Sequence, residues 1–482
     1  MKRLLSICVF VALVAIAASA QERFMRRACI QGVTEVGAKT RALPTPNQNW
    51  DPSRTYRQAV ILVQYADMAF SMDDPKTYYD QLLNLTTSNT RGGAGCAADY
   101  FRDQSGGRLN IQFDVYGPVL VSQKAQSTSG SDNYGDAAWT EATKKALDSL
   151  HVDFSPYDWN QDGEVDQVVY IAAGYCANVG GSKFSKYIWP STGWLSRIKV
   201  TEGLYVHQYS ASAEKWYNEI PCGIGTVCHE FSHCLGLPDL YPTYGSNTPF
   251  SVVDEWDLMD GGNFTAWGWC PPNYSALERH LLGWLSIDEI TANGVVSDMK
   301  PVADGGKAYK ITKEGDDYYL LENRQQKGWD RGLPGKGLLI AHVNYSQSVW
   351  KSNTVNGTKF RYELLHADGL DYDAWEAHIQ ANNQTEYLDT ENNMNRRYLS
   401  TSAYPMITDT LEVHQCADMP LQLMNIQLSD AGTISFDVLA TGIKAVESEA
   451  ADDSWYDLQG RRLSAKPTRR GIYIHHKKKV AF

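Results

Sequence analysis

Twelve consecutive residues constrain this chain more than any other stretch: Cys228-His229-Glu230-Phe231-Ser232-His233-Cys234-Leu235-Gly236-Leu237-Pro238-Asp239. His229 and His233 are four apart, and on a helix that spacing stacks both imidazoles on one face, about one turn apart. Two neutral imidazoles so placed bind one Zn²⁺, and Glu230 then lies beside the metal as a general base. Gly236 can adopt the left-handed conformation that ends a helix. Pro238 keeps the chain from resuming one. Asp239 is then able to swing back as third ligand, which leaves a fourth position open to water, the mark of a catalytic zinc site. Five residues of this kind also arise by chance in an amphipathic core helix with two satisfied histidines. Gly236 and Asp239 weigh against that reading.

A second feature lies about twenty residues past the helix: Trp256-Asp257-Leu258-Met259-Asp260-Gly261-Gly262, a Met before a Gly-Gly turn. Alone, Met259 reads as an ordinary core residue. Together with the helix, the sequence resembles the immune inhibitor A family of secreted bacterial metallopeptidases. The similarity is closest over His229 to Tyr241, above all in Leu235-Gly236-Leu237-Pro238-Asp239-Leu240-Tyr241. Ser232 stands where a Gly is more usual, and Pro242 where an Asp is common; neither position is a ligand. The resemblance implies a metzincin-like catalytic domain with Met259 on the turn beneath the metal. Ile188-Trp189-Pro190 also resembles a family segment, but Ser191 follows where a His is expected.

From the start of the chain, residues 1–20 read as a secretory signal. Lys2 and Arg3 precede an apolar run from Leu4 to Ala17, and Ala18-Ser19-Ala20 offers a cleavage site. The run is too short for a membrane span, and no other stretch is long and apolar enough for one. The expected location is outside the cell or on its surface. Without the signal, eight cysteines remain: Cys29, Cys96, Cys176, Cys222, Cys228, Cys234, Cys270 and Cys416. Export permits disulfides, but spacing does not give their connectivity. Cys228 and Cys234 fall on different faces of a helix and are not expected to pair.

Residues 21–57 read as an N-terminal arm or pro-segment, with Arg26, Arg27, Arg41 and Arg54 as processing points. Cys29 is a candidate latency thiol, although a disulfide or unpaired role is the commoner one. Residues 58–285 read as the catalytic domain. Ala59 to Val63 and Val168 to Ala172 are continuous apolar runs, as in buried strands. Leu109, Ile111, Phe113 and Val115 alternate with polar residues, as in a strand with one wet face. Asp73 to Leu85, Gly95 to Arg102, Asp136 to Leu150 and Tyr274 to Leu282 read as helices. The alternation predicts an α/β layer with a mostly parallel sheet. Val200 to Ser210 is expected to be an edge strand to which an extended substrate adds. Tyr241, Tyr244 and Tyr274 are the phenols nearest the metal elements in sequence; one of them is a candidate oxyanion donor, and packing is the more usual role for each.

Asp158-Trp159-Asn160-Gln161-Asp162-Gly163-Glu164-Val165-Asp166 places oxygen side chains at Asp158, Asn160, Asp162, Glu164 and Asp166, with a Gly at the sixth position. This is the first part of a calcium loop, a candidate Ca²⁺ site needing a ligand from elsewhere, because position 12 of an EF-hand would be Val169. The alternative is an Asx-rich turn feeding a strand.

From 286 to 437 short strands recur between Gly turns, at Ala308 to Thr312, Tyr318 to Glu322, Gly337 to Asn344 and Leu421 to Asp437. This reads as a β-sandwich-like domain. The polar stretch from Asp368 to Arg397 reads as an insertion, and His342 as a structural histidine. Glu322-Asn323-Arg324 and Gly337-Leu338-Leu339-Ile340 resemble the segment that follows the family's catalytic domain. Residues 438–482 read as a linker and a short β tail. That tail is similar to the sorting modules of Bacteroidetes-type exported proteins, which implies recognition by type IX secretion machinery. The overall expectation is a multidomain α+β chain.

The net charge of −12 argues against nucleic acid as a partner. The expected activity is therefore zinc-dependent cleavage of protein or peptide substrates with Glu230 as base. A silent zinc-containing adhesin or glycan-binding protein is the main alternative, and a different zinc hydrolase such as an amidase the other.

Overall fold

The structure is a computed structural model. It describes residues 42–482 apart from 87–90, 127–134, 180–182, 244–251, 358, 371–376, 378–380, 382–398, 401, 406–417, 441–454, 459–460, 464, 469–470, 476–477 and 482. The expected signal segment, Cys29, Cys416, Tyr244, and most of the polar insertion and of the linker lie outside the described residues. The chain divides into two compact units, Met1–Leu439 and Ala440–Phe482.

Five strands form the first sheet: β1 (Thr55–Gln64), β2 (Asn110–Leu120), β3 (Val168–Tyr175), β4 (Ser191–Thr201) and β5 (Leu204–Lys215). Their order is β2-β1-β3-β5-β4. The first three pairings are parallel, and β4 runs antiparallel to β5 at the edge. β1 shows why the apolar run Ala59–Val63 is continuous. Val60 and Leu62 enter one core while Ala59, Ile61 and Val63 enter the other, because successive side chains leave a strand on opposite faces. β2 has the expected single wet face, with Ile111, Phe113 and Val115 inward.

Helix α1 (Pro75–Asn84) starts at Asp74, whose side chain accepts from the Thr77 N–H, with Pro75 at the first position where no N–H is needed. α2 (Ala97–Gln104) is capped by the Cys96 sulfur and Asp99 in a reciprocal box. Both pack on the Val60 face. α3 (Asp136–Asp148) covers the opposite face with Ala138, Trp139, Ala142 and Ala146. The result is an α/β/α layering, as the alternation of periods predicts.

One expectation is corrected here. Val200 to Ser210 is not an edge strand. Glu202-Gly203 forms a two-residue turn, with Thr201 opposite Leu204 and Gly203 at φ +75°, so the run bends back on itself. β5 is paired on both sides, and the free edge on its side of the sheet belongs to β4.

The β-rich region of this unit adds two more sheets. The first contains β6 (Ile287–Glu289), β8 (Ala308–Glu314), β9 (Asp317–Arg324), β10 (Gly337–Asn344) and β11 (Tyr362–Leu364), in the order β11-β10-β9-β8-β6. The second contains β7 (Gly294–Met299), β12 (Leu421–Leu428) and β13 (Ile434–Ala440), in the order β12-β13-β7. β9 and β10 alternate between two cores. Leu320, Leu339 and Ala341 join the core that contains the helix carrying His229 and His233, while Leu321, Leu338 and Ile340 pack with Leu421, Leu423, Ile434 and Phe436. The second unit carries β14 (Trp455–Tyr456), β15 (Ile472–His475) and β16 (Lys478–Ala481) as a small sheet.

The arm at 42–50 packs against the elements that surround the site. Trp50 Nε1 donates to the Leu282 carbonyl at 2.8 Å, and the Leu43 N–H donates to the Lys351 carbonyl at 2.8 Å. Leu43 is buried beside Tyr241 and Trp194. Among the described residues no helix is long and apolar enough to cross a membrane.

Candidate metal centre

Helix α4 (Gly225–Cys234) carries His229, Glu230 and His233, and every residue from Gly225 to His233 is buried. It stops as its sequence predicts. Gly236 sits at φ +98°, the Gly236 N–H donates to the His233 carbonyl, and the Leu237 N–H reaches back to the Ser232 carbonyl at 3.1 Å. This left-handed ending satisfies the last carbonyls and reverses the chain. Asp239 thereby returns to the face that carries the two histidines.

The three side chains converge. His229 Nε2 and His233 Nε2 lie 3.2 Å apart. Asp239 Oδ1 lies 3.2 Å from the first and 3.3 Å from the second. For metal–ligand bonds of about 2.0 Å, the vertices of a tetrahedron are about 3.3 Å apart, so this triangle fits one face of a zinc site. It is the single cluster of three or more such groups among the described residues. The ring orientations are fixed as well. His229 Nδ1 donates to the Leu258 carbonyl at 2.8 Å and His233 Nδ1 to the Leu237 carbonyl at 2.7 Å, which turns both Nε2 atoms inward.

The electrostatics favour a cation. Burial alone would neutralise Asp239, yet the two imidazoles and their hydrogen bonds hold its carboxyl far below the usual range. Burial also works against charge on both histidines. At His229 the Asp239 hydrogen bond and the Glu230 and Asp239 charges outweigh it and push the imidazole up to about 9; at His233 burial wins and the value falls. A positive charge is wanted where the three ligand atoms meet.

Beneath the helix, the turn at 257–262 works through its backbone. The Leu258 carbonyl orients His229, and the Met259 carbonyl accepts the Leu240 N–H at 2.8 Å, next to Asp239. Asp257 Oδ1 accepts from the Met259 N–H at 2.8 Å and stiffens the turn. Met259 itself is fully buried. Ser232, the departure from the family pattern, donates to the Cys228 carbonyl at 2.6 Å and bonds the Tyr274 hydroxyl. Tyr274 is thus a packing residue, edge-on to Tyr100. Tyr241 stacks against His229, with ring centroids 6.5 Å apart and planes 14° from parallel.

Glu230 meets Thr192 on β4, whose hydroxyl lies 2.7 Å from the Glu230 carbonyl and 3.2 Å from Oε2. No sequence motif marks Thr192. Asn353, on the turn after α6 (Gln347–Lys351), also reaches the site without any motif: its Nδ2 donates to Asp239 Oδ2 at 2.7 Å. Its distance in sequence hides it.

The acidic loop is held by its own backbone. Asp158 accepts from the Asp162 and Gly163 amides, Asp162 from the Glu164 amide and Asn160 Nδ2, and Asp166 from the Trp159 amide. Glu164 pairs with Arg197 at 2.8 Å. Burial, with Asp162 and Asp158 nearby, pushes Asp166 up to about 7. The six described cysteines are thiols, Cys228 and Cys234 among them; Cys176 and Cys222 approach to 3.5 Å.

Residues 54–282 match a family described as immune inhibitor A peptidase M6, catalytic domain. A curated relative, pre-pro-metalloprotease PrtV of Vibrio cholerae serotype O1 (strain M66-2), is 23% identical over 285 residues, covering 52% of this chain and 30% of its own. Immune inhibitor A of Bacillus thuringiensis subsp. alesti is 25% identical over 287 residues, covering 48% of this chain and 41% of its own. The chain therefore spans less than half the length of either relative.

Proposed function

We propose, from the peptidase M6 match over residues 54–282, that the protein is a zinc-dependent endopeptidase of the immune inhibitor A type. His229, His233 and Asp239 hold the metal and Glu230 is the general base. The observation that carries this reading is the triangle of two Nε2 atoms and one carboxylate oxygen with sides of 3.2–3.3 Å. Its imidazoles already turn Nε2 toward the shared position. Zinc bound there would polarise the scissile carbonyl and acidify a water.

The chain's own groups supply the rest. Glu230 follows His229 on the same buried helix, takes a proton from the attacking water, and returns it to the leaving amine. Thr192 steadies that carboxylate from the edge strand. β4 has β5 on one side only, so an extended peptide can add to its open edge by main-chain hydrogen bonds. A peptide added there would run past Thr192, whose hydroxyl meets Glu230. The signal segment 1–20 fits export, and the β tail fits recognition by secretion machinery.

The test is casein hydrolysis by the signal-free protein, with and without a zinc chelator, beside Glu230→Gln. Chelator-sensitive cleavage, lost by a factor of about 10² to 10⁴ in the variant while zinc stays bound, is the expected result. Full activity in Glu230→Gln removes the general-base role. Zinc content without cleavage, even after removal of residues 21–41, points to the adhesin or binding-protein reading.

A further inference from the structure

Asp239 is the one ligand that does not stand on a helix, so its carboxylate needs an external restraint. Asn353 supplies one with both arms of its amide. Oδ1 accepts the Asp239 N–H at 2.6 Å, and Nδ2 donates to Asp239 Oδ2 at 2.7 Å. The fork spans the backbone and the side chain of one residue, which fixes the rotation of the carboxylate. Oδ2 is taken by Asn353, and Oδ1 is left facing the two imidazoles.

Asn353 is itself held. It is 3% exposed and sits at φ +56°, a conformation that Asn tolerates better than most residues. Its N–H donates to the Trp350 carbonyl at 3.1 Å, and Trp350 is anchored in the core. Its own carbonyl accepts the Thr243 hydroxyl at 2.6 Å, beyond the ligand loop. Asn356, three residues on, donates to the Leu240 carbonyl at 2.7 Å. The loop that carries the third ligand is thus clamped from the turn that follows α6.

That turn lies outside the residues matched to the catalytic family, 114 residues from Asp239. We infer that Asn353 is a positioning residue of the metal centre, which holds Asp239 as a one-oxygen ligand, and that the β-rich region completes the site. The inference rests on the proposed zinc site and adds a residue to it. Groups that orient a ligand in this way typically change metal affinity 10- to 100-fold when removed.

The experiment is equilibrium zinc binding by competition with a chromophoric chelator, on the signal-free full chain. Wild type, Asn353→Gly and Asn356→Ala are compared, each with a thermal melt of the metal-free form. Gly suits the positive φ, so Asn353→Gly removes the fork without backbone strain. Its zinc affinity should fall by about 10- to 100-fold, beyond what the accompanying fall in the metal-free melt accounts for. Asn356→Ala removes a staple of the same loop that does not touch Asp239; its melt should fall, and its affinity should fall less than that of Asn353→Gly. With cobalt in place of zinc, the visible spectrum should change in Asn353→Gly alone. If Asn353→Gly does not fold, Asn353→Ser is read in the same way. Unchanged affinity in the Asn353 variant overturns the inference, as do losses in both variants that merely follow their stability. A wild-type chain that takes up no zinc overturns the inference together with the proposed function.

Discussion

The hydroxyl of Thr192 on the edge strand lies 2.7 Å from the backbone carbonyl of Glu230 and 3.2 Å from its carboxylate oxygen Oε2. One short side chain thereby ties the sheet edge to the helix residue proposed as base. Thr192→Val keeps the shape and removes the hydroxyl. A lost hydrogen bond of about 1.4 kcal/mol corresponds to about tenfold in kcat. Zinc content should not change. Steady-state kinetics with a metal assay decide it, and an unaltered kcat would show that Glu230 is oriented by other contacts.

Gly236 reverses the chain between His233 and Asp239. A Cβ there would lie 2.5 Å from the Pro44 carbonyl, and φ is +98°. Gly236→Ala should therefore destabilise the protein by about 2 kcal/mol or more, from the left-handed backbone and the displaced arm together. Zinc affinity should fall as well, because the Leu237 carbonyl that orients His233 is on the same turn. Urea unfolding and zinc titration measure the two effects separately.

Glu278 caps α5 (Ala276–Leu281): its Oε2 accepts from the Ser275 amide and hydroxyl, and its carboxyl also hydrogen-bonds Asp257. Burial, and then the charge of Asp257, push its carboxyl well above the usual range. A carboxyl raised in this way takes up a proton on folding. Its stability contribution is present below the ordinary value of 4.5 and is lost as pH rises toward the folded value. Glu278→Gln should flatten that fall and match or exceed wild-type stability at pH 7. Thermal midpoints between pH 5 and pH 8 test the slope, and parallel curves for the two proteins would refute the assignment.

His342 lies between two acids, 2.7 Å from Asp317 and 3.3 Å from Glu363. The Glu363 hydrogen bond raises its pKa, burial opposes this, and Asp317 adds to the rise. The stabilisation is fully present below 6.5 and is lost as pH climbs through the raised value. His342→Gln should remove this loss. The check is the difference in melting temperature between pH 6 and pH 9, which should shrink in the variant.

Much of the metal centre is legible in one dimension because its parts are local. Helical spacing puts His229 and His233 on one face, Gly236 and Pro238 end the helix, and Asp239 follows within the reach of one turn. The runs Ala59–Val63 and Val168–Ala172 are buried on both faces and read as strands for the same reason. The hairpin at Glu202-Gly203 is not read from the sequence, because weak alternation across it points to one edge strand where two strands meet.

What the sequence by itself determined is therefore what depends on neighbours in the chain: the helix that carries His229 and His233, its ending, and the periods of the strands and helices. Only the tertiary structure decided that β4 rather than β5 lies at that sheet edge, that Thr192 meets Glu230, that the Leu258 carbonyl orients His229, and that Asn353 grips Asp239. These contacts join residues 29 to 114 positions apart. A hydrogen bond needs only one donor and one acceptor, and Thr, Asn and a backbone carbonyl occur everywhere in a chain. Their identity carries no spacing signal, so packing alone selects which of them reach the site.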